Sequence, residues 1–397
     1  MLCITNTTVL TPEKEFKQAT VITKQGRIDT IDMRPSFQIA DNAQGVTKID
    51  ATGLILTPGF IDLQLNGGFG SDFTATPETI WQVGSKLPQY GVTAFLPTII
   101  TAPLDKVTQA QQVLREQKPL NYDGATPLGL HIEGPFLNPQ KKGAHNAAYL
   151  RPPNIADVSA WSAEQHIQLV TLAPELEGSL ALIRALRDRG ITVSAGHSMA
   201  TSAEATHGIE TGISYGTHLF NAMPQIHHRE PGLIGTLLDN PDVTIGLIVD
   251  GLHVHPDLVK IVWRLVGSQR LNIVTDAMMA LGMPDGEYAL GDQRVLVANQ
   301  MAKLPDGTLA GSVISLDASL RNLMRFTGCS IQEALPTKTQ TPADLLRIGS
   351  QKGRIRVGYD ADLVLLTPTF DVVMTIVNGQ IVYQNLAHPI GIDNEPS

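Results

Sequence analysis

The sequence predicts an α/β fold, a (β/α)8 barrel of the TIM type with a small β-sandwich domain built from both chain ends. Two observations support this prediction. Apolar, strand-like runs alternate with helical segments through the middle of the 397-residue chain, as they do in proteins with parallel sheets. Both chain ends instead contain short β-like runs separated by turn signals.

Eight strand-like runs make up the predicted barrel. Several are almost continuously apolar, as expected of strands that are buried on both faces. They span residues 58–67, 91–100, 129–136, 167–175, 191–197, 213–220, 243–254 and 271–278.

Helical segments fit between many of these runs. In the segment that ends at Gly190, the side chains of Leu180, Leu182, Ile183 and Leu186 form an apolar stripe with helical spacing. The other predicted helices span residues 78–90, 104–117, 201–212, 256–267 and, after the eighth strand, 315–328.

Both chain ends are predicted to contribute to one β domain. The dipeptide Asn378-Gly379 is a strong hairpin turn, and Gln25-Gly26 lies between two strand-like runs. The predicted domains are residues 1–56 with 353–397 for the β-sandwich and residues 57–352 for the barrel. Within the barrel, residues 284–312 are predicted to be a β-hairpin insertion, because they fit the alternating pattern badly.

Composition and charge exclude several classes of function. The formal net charge of −9 and the lack of long Lys/Arg blocks argue against a sequence-independent grip on nucleic acid. Two cysteines, Cys3 and Cys329, are too few for a disulfide framework. No leader peptide and no apolar run of bilayer length is evident. We therefore expect a cytoplasmic protein without nucleic-acid or membrane partners.

Four polar side chains stand at the ends of strand-like runs. Glu133, His197, His218 and Asp276 each follow the apolar part of a run, and the carboxyl ends of barrel strands meet on one face. The first three would be ligands of a divalent metal with one position left for water. A single histidine near a strand end is more often structural, but unrelated residues would scatter along the strands.

Asp276 lies outside this ligand set and could act as a base. It would take a proton from water and return it to a leaving amine, as amide hydrolysis requires. The competing role for Asp276 is to cap a helix that follows it. Other catalytic signatures are missing, since the sequence has no HExxH motif, no Pro-Cys-x-x-Cys, no Walker lysine and no G-x-S-x-G.

Motifs along nearly the whole chain resemble the amidohydrolase superfamily and, within it, the N-acetylglucosamine-6-phosphate deacetylases. HIEGPF and THLFNAM are the most specific of these motifs, whereas GYDADLVLL is shared more widely. The resemblance implies metal-dependent hydrolysis of the acetamido group of N-acetyl-D-glucosamine 6-phosphate, with D-glucosamine 6-phosphate and acetate as products. In their order along the chain, the motifs are TPGFIDLQLNGGFG, GVTAFLPT, HIEGPFLNPQKKGAH, SAGHS, THLFNAM, DGLHVHP, VTDAM and GTLAGS.

The resemblance implies roles for individual residues at the reacting bond. Glu133, His197 and His218 would bind one divalent metal, and Asp276 would be the general base and acid. His145 would polarise the acetyl carbonyl beside the metal. Without the resemblance, His145 would be interpreted as a solvated histidine in a polar loop.

The resemblance also implies a site for the sugar phosphate. His253 and the backbone around Asn221 and Ala222 would lie near it, and Arg229 would be its cation. Residues 141–142, a lysine pair, are the alternative cations. Without the resemblance, the segment around Arg229 would be interpreted as a surface turn.

One departure from the superfamily bears on the number of metal ions. Many members carry His-x-His at the end of the first strand, where this chain has Gln64 and Asn66. Amides are poor replacements for imidazole at a transition metal. We therefore expect one metal per chain, with zinc favoured by the His2Glu set and Fe²⁺, Co²⁺ or Mn²⁺ as alternatives.

Two other functions compete with deacetylation. A cyclic-amide hydrolase of the dihydroorotase kind commonly needs the missing histidine pair. A catalytically silent barrel that serves as a scaffold should have lost a ligand or the base, and this chain keeps all four residues. The expected partners are a phosphorylated amino sugar and further copies of the chain, as a dimer or tetramer.

Overall fold

The computed structural model describes residues 1–11, 14–34, 45–116, 118–388 and 390–394. They form a parallel barrel, a mixed sheet built from both chain ends and a small antiparallel sheet near the barrel mouth. The predicted fold class is confirmed.

Parallel strands form the barrel, and each pairs with its neighbour in sequence. The barrel nearly closes where a bridge joins Leu65 to Ala277 and the amide of Asp276 donates to the carbonyl of Gln64 at 2.9 Å. The eight strands are Phe60–Leu65, Val92–Ile100, Leu130–Glu133, Ile167–Leu172, Thr192–Ala195, Ile213–Gly216, Thr244–Ile248 and Leu271–Val274.

Helices pack around the outside of the barrel. In the segment with the predicted stripe, Leu182, Ile183 and Leu186 are buried, but Leu180 is 40% exposed, so the stripe is narrower than predicted. The prediction at 78–90 is wrong over most of its length, because two 3₁₀ turns flank a short helix there. The helices are Ile80–Gly84, Leu104–Glu116, Ser179–Asp188, Ser202–Thr211, Gly232–Asp239, Pro256–Arg270, Leu316–Thr327, Ile331–Ala334 and Gln340–Leu345.

Strands from both chain ends share one sheet. Val372–Val377 and Gln380–Gln384 form the hairpin predicted at Asn378-Gly379, and the hairpin at Gln25-Gly26 is also present. The domain boundaries remain a proposal, and residues 12, 13, 35–44, 389 and 395–397 of the predicted β domain lie outside the described residues. The strands of this sheet are Leu2–Leu10, Glu15–Lys24, Arg27–Asp32, Thr47–Asp50, Ile55–Pro58, Leu363–Leu366, Val372–Val377, Gln380–Gln384 and Gly391–Asn394.

The predicted insertion contains the antiparallel strands Gly286–Leu290, Gln293–Ala298 and Met301–Lys303. The tip of its first hairpin is tied to loops at the barrel mouth. The amide of Gly291 donates to Asp72 at 2.9 Å, and Asn146 donates to the carboxylate of Asp292 at 2.6 Å. The hairpin tip is therefore held at the carboxyl end of the barrel.

Candidate active site

Glu133, His197 and His218 meet at the barrel mouth. The Nε2 atoms of His197 and His218 lie 3.1 Å and 2.9 Å from the same carboxylate oxygen of Glu133, and 3.1 Å from each other. All three side chains are buried. Glu133 is the last residue of the third barrel strand, and His197 and His218 follow the fifth and sixth strands, so all three lie at the carboxyl end of the barrel. The structure thus brings together the three residues that the sequence predicts as ligands.

The backbone at these strand ends turns sharply. His197, His218 and Asp276 have φ angles of 49°, 27° and 49°. This left-handed region is uncommon for residues other than glycine, and such residues cluster at functional sites. The turn directly after each strand aims the side chain into the barrel mouth instead of along the strand.

The donor set fits a divalent metal. Two imidazole nitrogens and a carboxylate oxygen lie within 4.8 Å of one another, which matches the His2Glu ligand sets that zinc favours. The Nδ1 atom of His197 lies 2.9 Å from the carbonyl of Lys141. Because a carbonyl oxygen can only accept, Nδ1 donates, and in the neutral ring the lone pair of Nε2 faces the cluster, which is the usual arrangement of a ligating histidine.

Its histidine neighbours decide the ionisation of Glu133. Burial opposes its negative charge, but the close contacts with the rings of His197 and His218 outweigh burial and hold the pKa of Glu133 well below its usual value. Gln64 adds a hydrogen bond from its amide nitrogen to Glu133 at 3.0 Å. The carboxylate is therefore negatively charged, as a metal ligand must be.

Asp276 lies beside this cluster. Burial, with the neighbouring charge of Glu133, raises the pKa of Asp276 to about 6. The amide nitrogen of Asn66 donates to its carboxylate at 2.7 Å. No helix begins in residues 277–285, all of which the structure describes, so the capping role considered for Asp276 is not observed.

His145 presents a hydrogen-bond donor beside the cluster. Its Nδ1 atom lies 3.2 Å from the backbone N–H of Thr101 and 2.9 Å from the hydroxyl of the same residue. Because a backbone N–H can only donate, Nδ1 accepts, and the proton of the neutral ring is on Nε2. Burial and the nearby His197 lower the pKa of His145 to about 3, so the ring is neutral near pH 7.

A cavity of about 310 Å³ opens over these groups. Asn221, Ala222 and His253 also line it. The Nδ1 atom of His253 lies 2.6 Å from the carboxylate of Asp250, which fixes the orientation of the ring. Arg229 is the predicted substrate-binding residue that the cavity lining does not include. It is exposed, and its guanidinium lies 2.9 Å from the ring of His228.

Four residues have contacts at the site that sequence reasoning did not anticipate. From the sequence, Gln64 and Asn66 stand only where metal ligands are missing, yet their side-chain amides hydrogen-bond the two carboxylates. Thr101 and Asp250 contact the two cavity histidines outside the ligand set. The position of Asp250, three residues before His253, is the signal that could have revealed its contact.

The fold and the site together define a metal-dependent hydrolase of the barrel type. The sequence profile of the amidohydrolase family matches residues 55–382. The N-acetylglucosamine-6-phosphate deacetylase of Bacillus subtilis is 37% identical over 389 residues, which cover 96% of this chain and 97% of the relative.

Two solved structures are similar over nearly the whole chain. The N-acetylglucosamine-6-phosphate deacetylase of Pasteurella multocida superimposes with a TM-score of 0.89 at 33% identity, covering 97% of this chain and all of the other. A variant of the Mycobacterium smegmatis deacetylase, in complex with N-acetyl-D-glucosamine 6-phosphate, gives a TM-score of 0.87 at 29% identity and covers 96% and 99%. The chain therefore belongs to the amidohydrolase family, among the N-acetylglucosamine-6-phosphate deacetylases.

Membership of this family implies a divalent metal, and the cluster of Glu133, His197 and His218 could hold one. Among the described residues, no helix combines the length and apolar character that crossing a bilayer requires.

Proposed function

We propose that this chain hydrolyses the acetamido group of N-acetyl-D-glucosamine 6-phosphate to acetate and D-glucosamine 6-phosphate, in amino-sugar catabolism or recycling. One observation carries the proposal: in a chain of this family, the predicted ligands, Asp276 and His145 all line one cavity. Its volume of about 310 Å³ lies within the usual range for small-molecule sites.

Glu133, His197 and His218 would hold one divalent ion, and zinc is the metal we propose. When bound, the ion would supply Lewis acidity that polarises the acetyl carbonyl and lowers the pKa of a water molecule. The hydrogen bonds from Gln64 and Asn66 support the proposal of a single ion, because these amides contact the carboxylates where histidine ligands of a second ion would otherwise stand.

His145 and Asp276 would divide the remaining chemistry. The oxygen of water bonds to the carbonyl carbon, and Asp276 accepts the proton that the water loses. His145 donates a hydrogen bond from Nε2 to the carbonyl oxygen, where negative charge develops. Asp276 then gives the proton to the sugar nitrogen as the C–N bond breaks, which releases acetic acid and the free amine. The acid then loses its remaining proton to the amine or to solvent and becomes acetate.

The sugar phosphate would bind at the opposite part of the cavity from the reacting bond. His253 and the backbone at Asn221 and Ala222 would contact it. Lys141 also lines the cavity, and its ammonium donates to the carbonyl of Met223 at 3.0 Å. Arg229 remains our proposed phosphate cation. Separate Arg229→Ala and Lys141→Ala variants test the choice, since only the loss of the phosphate cation should raise KM for the phosphorylated sugar selectively.

The deciding experiment measures acetate release from N-acetyl-D-glucosamine 6-phosphate together with elemental analysis of the purified protein. We expect turnover, one tightly bound metal per chain, loss of turnover after chelation and recovery when zinc is restored. Dihydroorotate serves as the control substrate for the cyclic-amide alternative and should not react. Absence of acetate release from the metal-loaded protein would refute the proposed function, and two tightly bound metal ions would refute the single-ion site.

A further inference from the structure

Three apolar side chains form one wall of the cavity next to His145. Ile100, Ala144 and Leu290 all line the cavity, and they belong to a single apolar cluster. Their exposed fractions are 5%, 9% and 4%. Most of the other lining side chains are polar, so this wall, which we call the acyl wall, is chemically distinct from the rest of the cavity.

The acyl wall lies beside His145, the proposed hydrogen-bond donor to the oxyanion. Ile100 ends the second barrel strand and precedes Thr101, which hydrogen-bonds His145, and Ala144 precedes His145 in the chain. Leu290 comes from the insertion and adjoins the hairpin tip that is tied to the barrel loops. At that tip, a Cβ on the following glycine would lie only 3.1 Å from Cδ1 of Ile100, so the hairpin packs closely on the strand.

The planar geometry of an amide indicates which part of the substrate would lie against this wall. The carbonyl carbon has three substituents in a plane. If the oxygen faces His145 and the nitrogen faces Asp276, the third substituent is the alkyl end of the acyl group. An apolar surface adjoining His145 is where that alkyl end can be buried, and burying it there is favourable.

We propose that Ile100, Ala144 and Leu290 bind the methyl of the N-acetyl group and restrict the enzyme to short acyl chains. This inference rests on the proposed function, and it adds that the insertion sets acyl-chain specificity through Leu290. A well-packed wall discriminates against one additional methylene by roughly 10- to 200-fold in kcat/KM.

The test compares N-acetyl, N-propionyl and N-butyryl glucosamine 6-phosphate as substrates of the metal-loaded enzyme. Leu290→Ala and Ile100→Val remove methyl or methylene groups from the wall. Both variants should lower the ratio of kcat/KM for acetyl over propionyl, by about 10-fold or more for Leu290→Ala. Leu296→Ala is the matched control, because Leu296 lies in the same insertion but is 56% exposed, and it should leave the ratio unchanged.

A variant in the opposite direction completes the series. Ala144→Val adds two methyl groups to the wall, so it should reduce turnover of the acetyl substrate more than that of the N-formyl substrate. This variant and Ile100→Val keep the proposal testable if Leu290→Ala does not fold.

The outcomes separate the two proposals. A native enzyme that does not release acetate refutes the proposed function. An active native enzyme whose acyl-chain ratios stay unchanged in Ile100→Val and Ala144→Val, and in Leu290→Ala if it folds, refutes the acyl wall alone. Equal losses for every acyl chain would also refute it, because they would mean that the wall contacts the sugar ring instead.

Discussion

Asp62 and Asp276 are two buried aspartates that differ in what surrounds them. Burial raises the pKa of each to about 6. Asp62 lies in the seam between the first and eighth barrel strands, where it accepts hydrogen bonds from the hydroxyl and the amide of Thr275 at 2.6 Å and 3.3 Å. The backbone amide of Gln64 donates to the carboxylate of Asp62 at 3.2 Å. The carboxylate of Asp62 therefore links the two strands through these three hydrogen bonds.

Asp276 has the same raised pKa in a different setting. It accepts a side-chain hydrogen bond from Asn66 and lines the cavity beside the ligand cluster. The comparison shows that a raised pKa does not by itself identify a catalytic carboxylate. Burial explains the shift in both residues, and only the partners and the access to substrate separate a structural role from a chemical one.

The largest expected effect is that of Asp276→Asn. The variant keeps the shape and the contact with Asn66 but loses the proton acceptor, so kcat for deacetylation should fall by about 10²- to 10⁴-fold. Metal content and melting temperature should stay close to those of the native protein. Near-normal turnover in a metal-loaded Asp276→Asn protein would remove this residue from the mechanism.

The position of the predicted ligands could be derived from the sequence, because a parallel barrel places every strand end on one face. Glu133 ends one apolar run, and His197 and His218 lie just after two others. Beyond the end of a strand, the alternation of side chains no longer predicts the direction in which a side chain points. The location of the site therefore depends on the barrel topology alone, and the alternation of strands and helices in the sequence predicts that topology.

Contacts that depend on irregular backbone could not be derived in this way. The register between the first two strands shifts between Asp62 and Leu65, and this irregularity contains Gln64, whose side chain reaches Glu133. No sequence period predicts such a shift. The sequence also does not predict the helix Gly232–Asp239, because its glycines, Gly232 and Gly235, and the preceding proline obscure the helical pattern.

The second prediction concerns Asp62. If its role is structural, its replacement should lower the stability of the fold and leave kcat per folded molecule nearly unchanged. Asp62→Ala leaves the donors of Thr275 and Gln64 without their acceptor in the barrel seam. The free energy of unfolding should fall by about 2 to 4 kcal/mol, as buried unsatisfied groups typically cost. Urea denaturation measures the loss. A fall in kcat per folded molecule as large as that of Asp276→Asn would break the comparison.

The pH dependence of stability provides a third, smaller test. The pKa of Asp62 is about 6 in the folded protein and about 3.9 in an unfolded chain. Because the folded state holds this proton more tightly, its contribution to stability is complete below about pH 4 and is lost as the pH rises through 6. The loss amounts to at most about 3 kcal/mol.

Asp62→Asn is the control for this pH dependence, since its side chain does not titrate. Lys338 faces Asp62, and burial lowers the pKa of its ammonium to about 7, so in the native protein it stays largely charged between pH 4 and 6. The difference in unfolding free energy between the native protein and the variant should therefore decrease over this range. A constant difference would show that Asp62 is ionised throughout.

The smallest effect is expected at Asp250, a third buried aspartate with the opposite pKa shift. Burial opposes its charge, but the hydrogen bond with His253 outweighs burial and lowers its pKa. If His253 contacts the sugar phosphate as proposed, Asp250 would act on the substrate only through that ring, so we propose it as a positioning residue. Asp250→Asn should raise KM roughly 10-fold, the cost of one charge-assisted hydrogen bond, while kcat changes little.

A double variant separates positioning from a general structural effect. If Asp250 acts only by orienting His253, adding Asp250→Asn to a His253→Ala protein should raise KM no further. An additional increase in the double variant, or a loss confined to kcat, would show that Asp250 does not work through this ring. Together with Asp62 and Asp276, this result would test whether the direction of a pKa shift, the identity of the hydrogen-bond partner or access to the cavity best predicts what a buried carboxylate does.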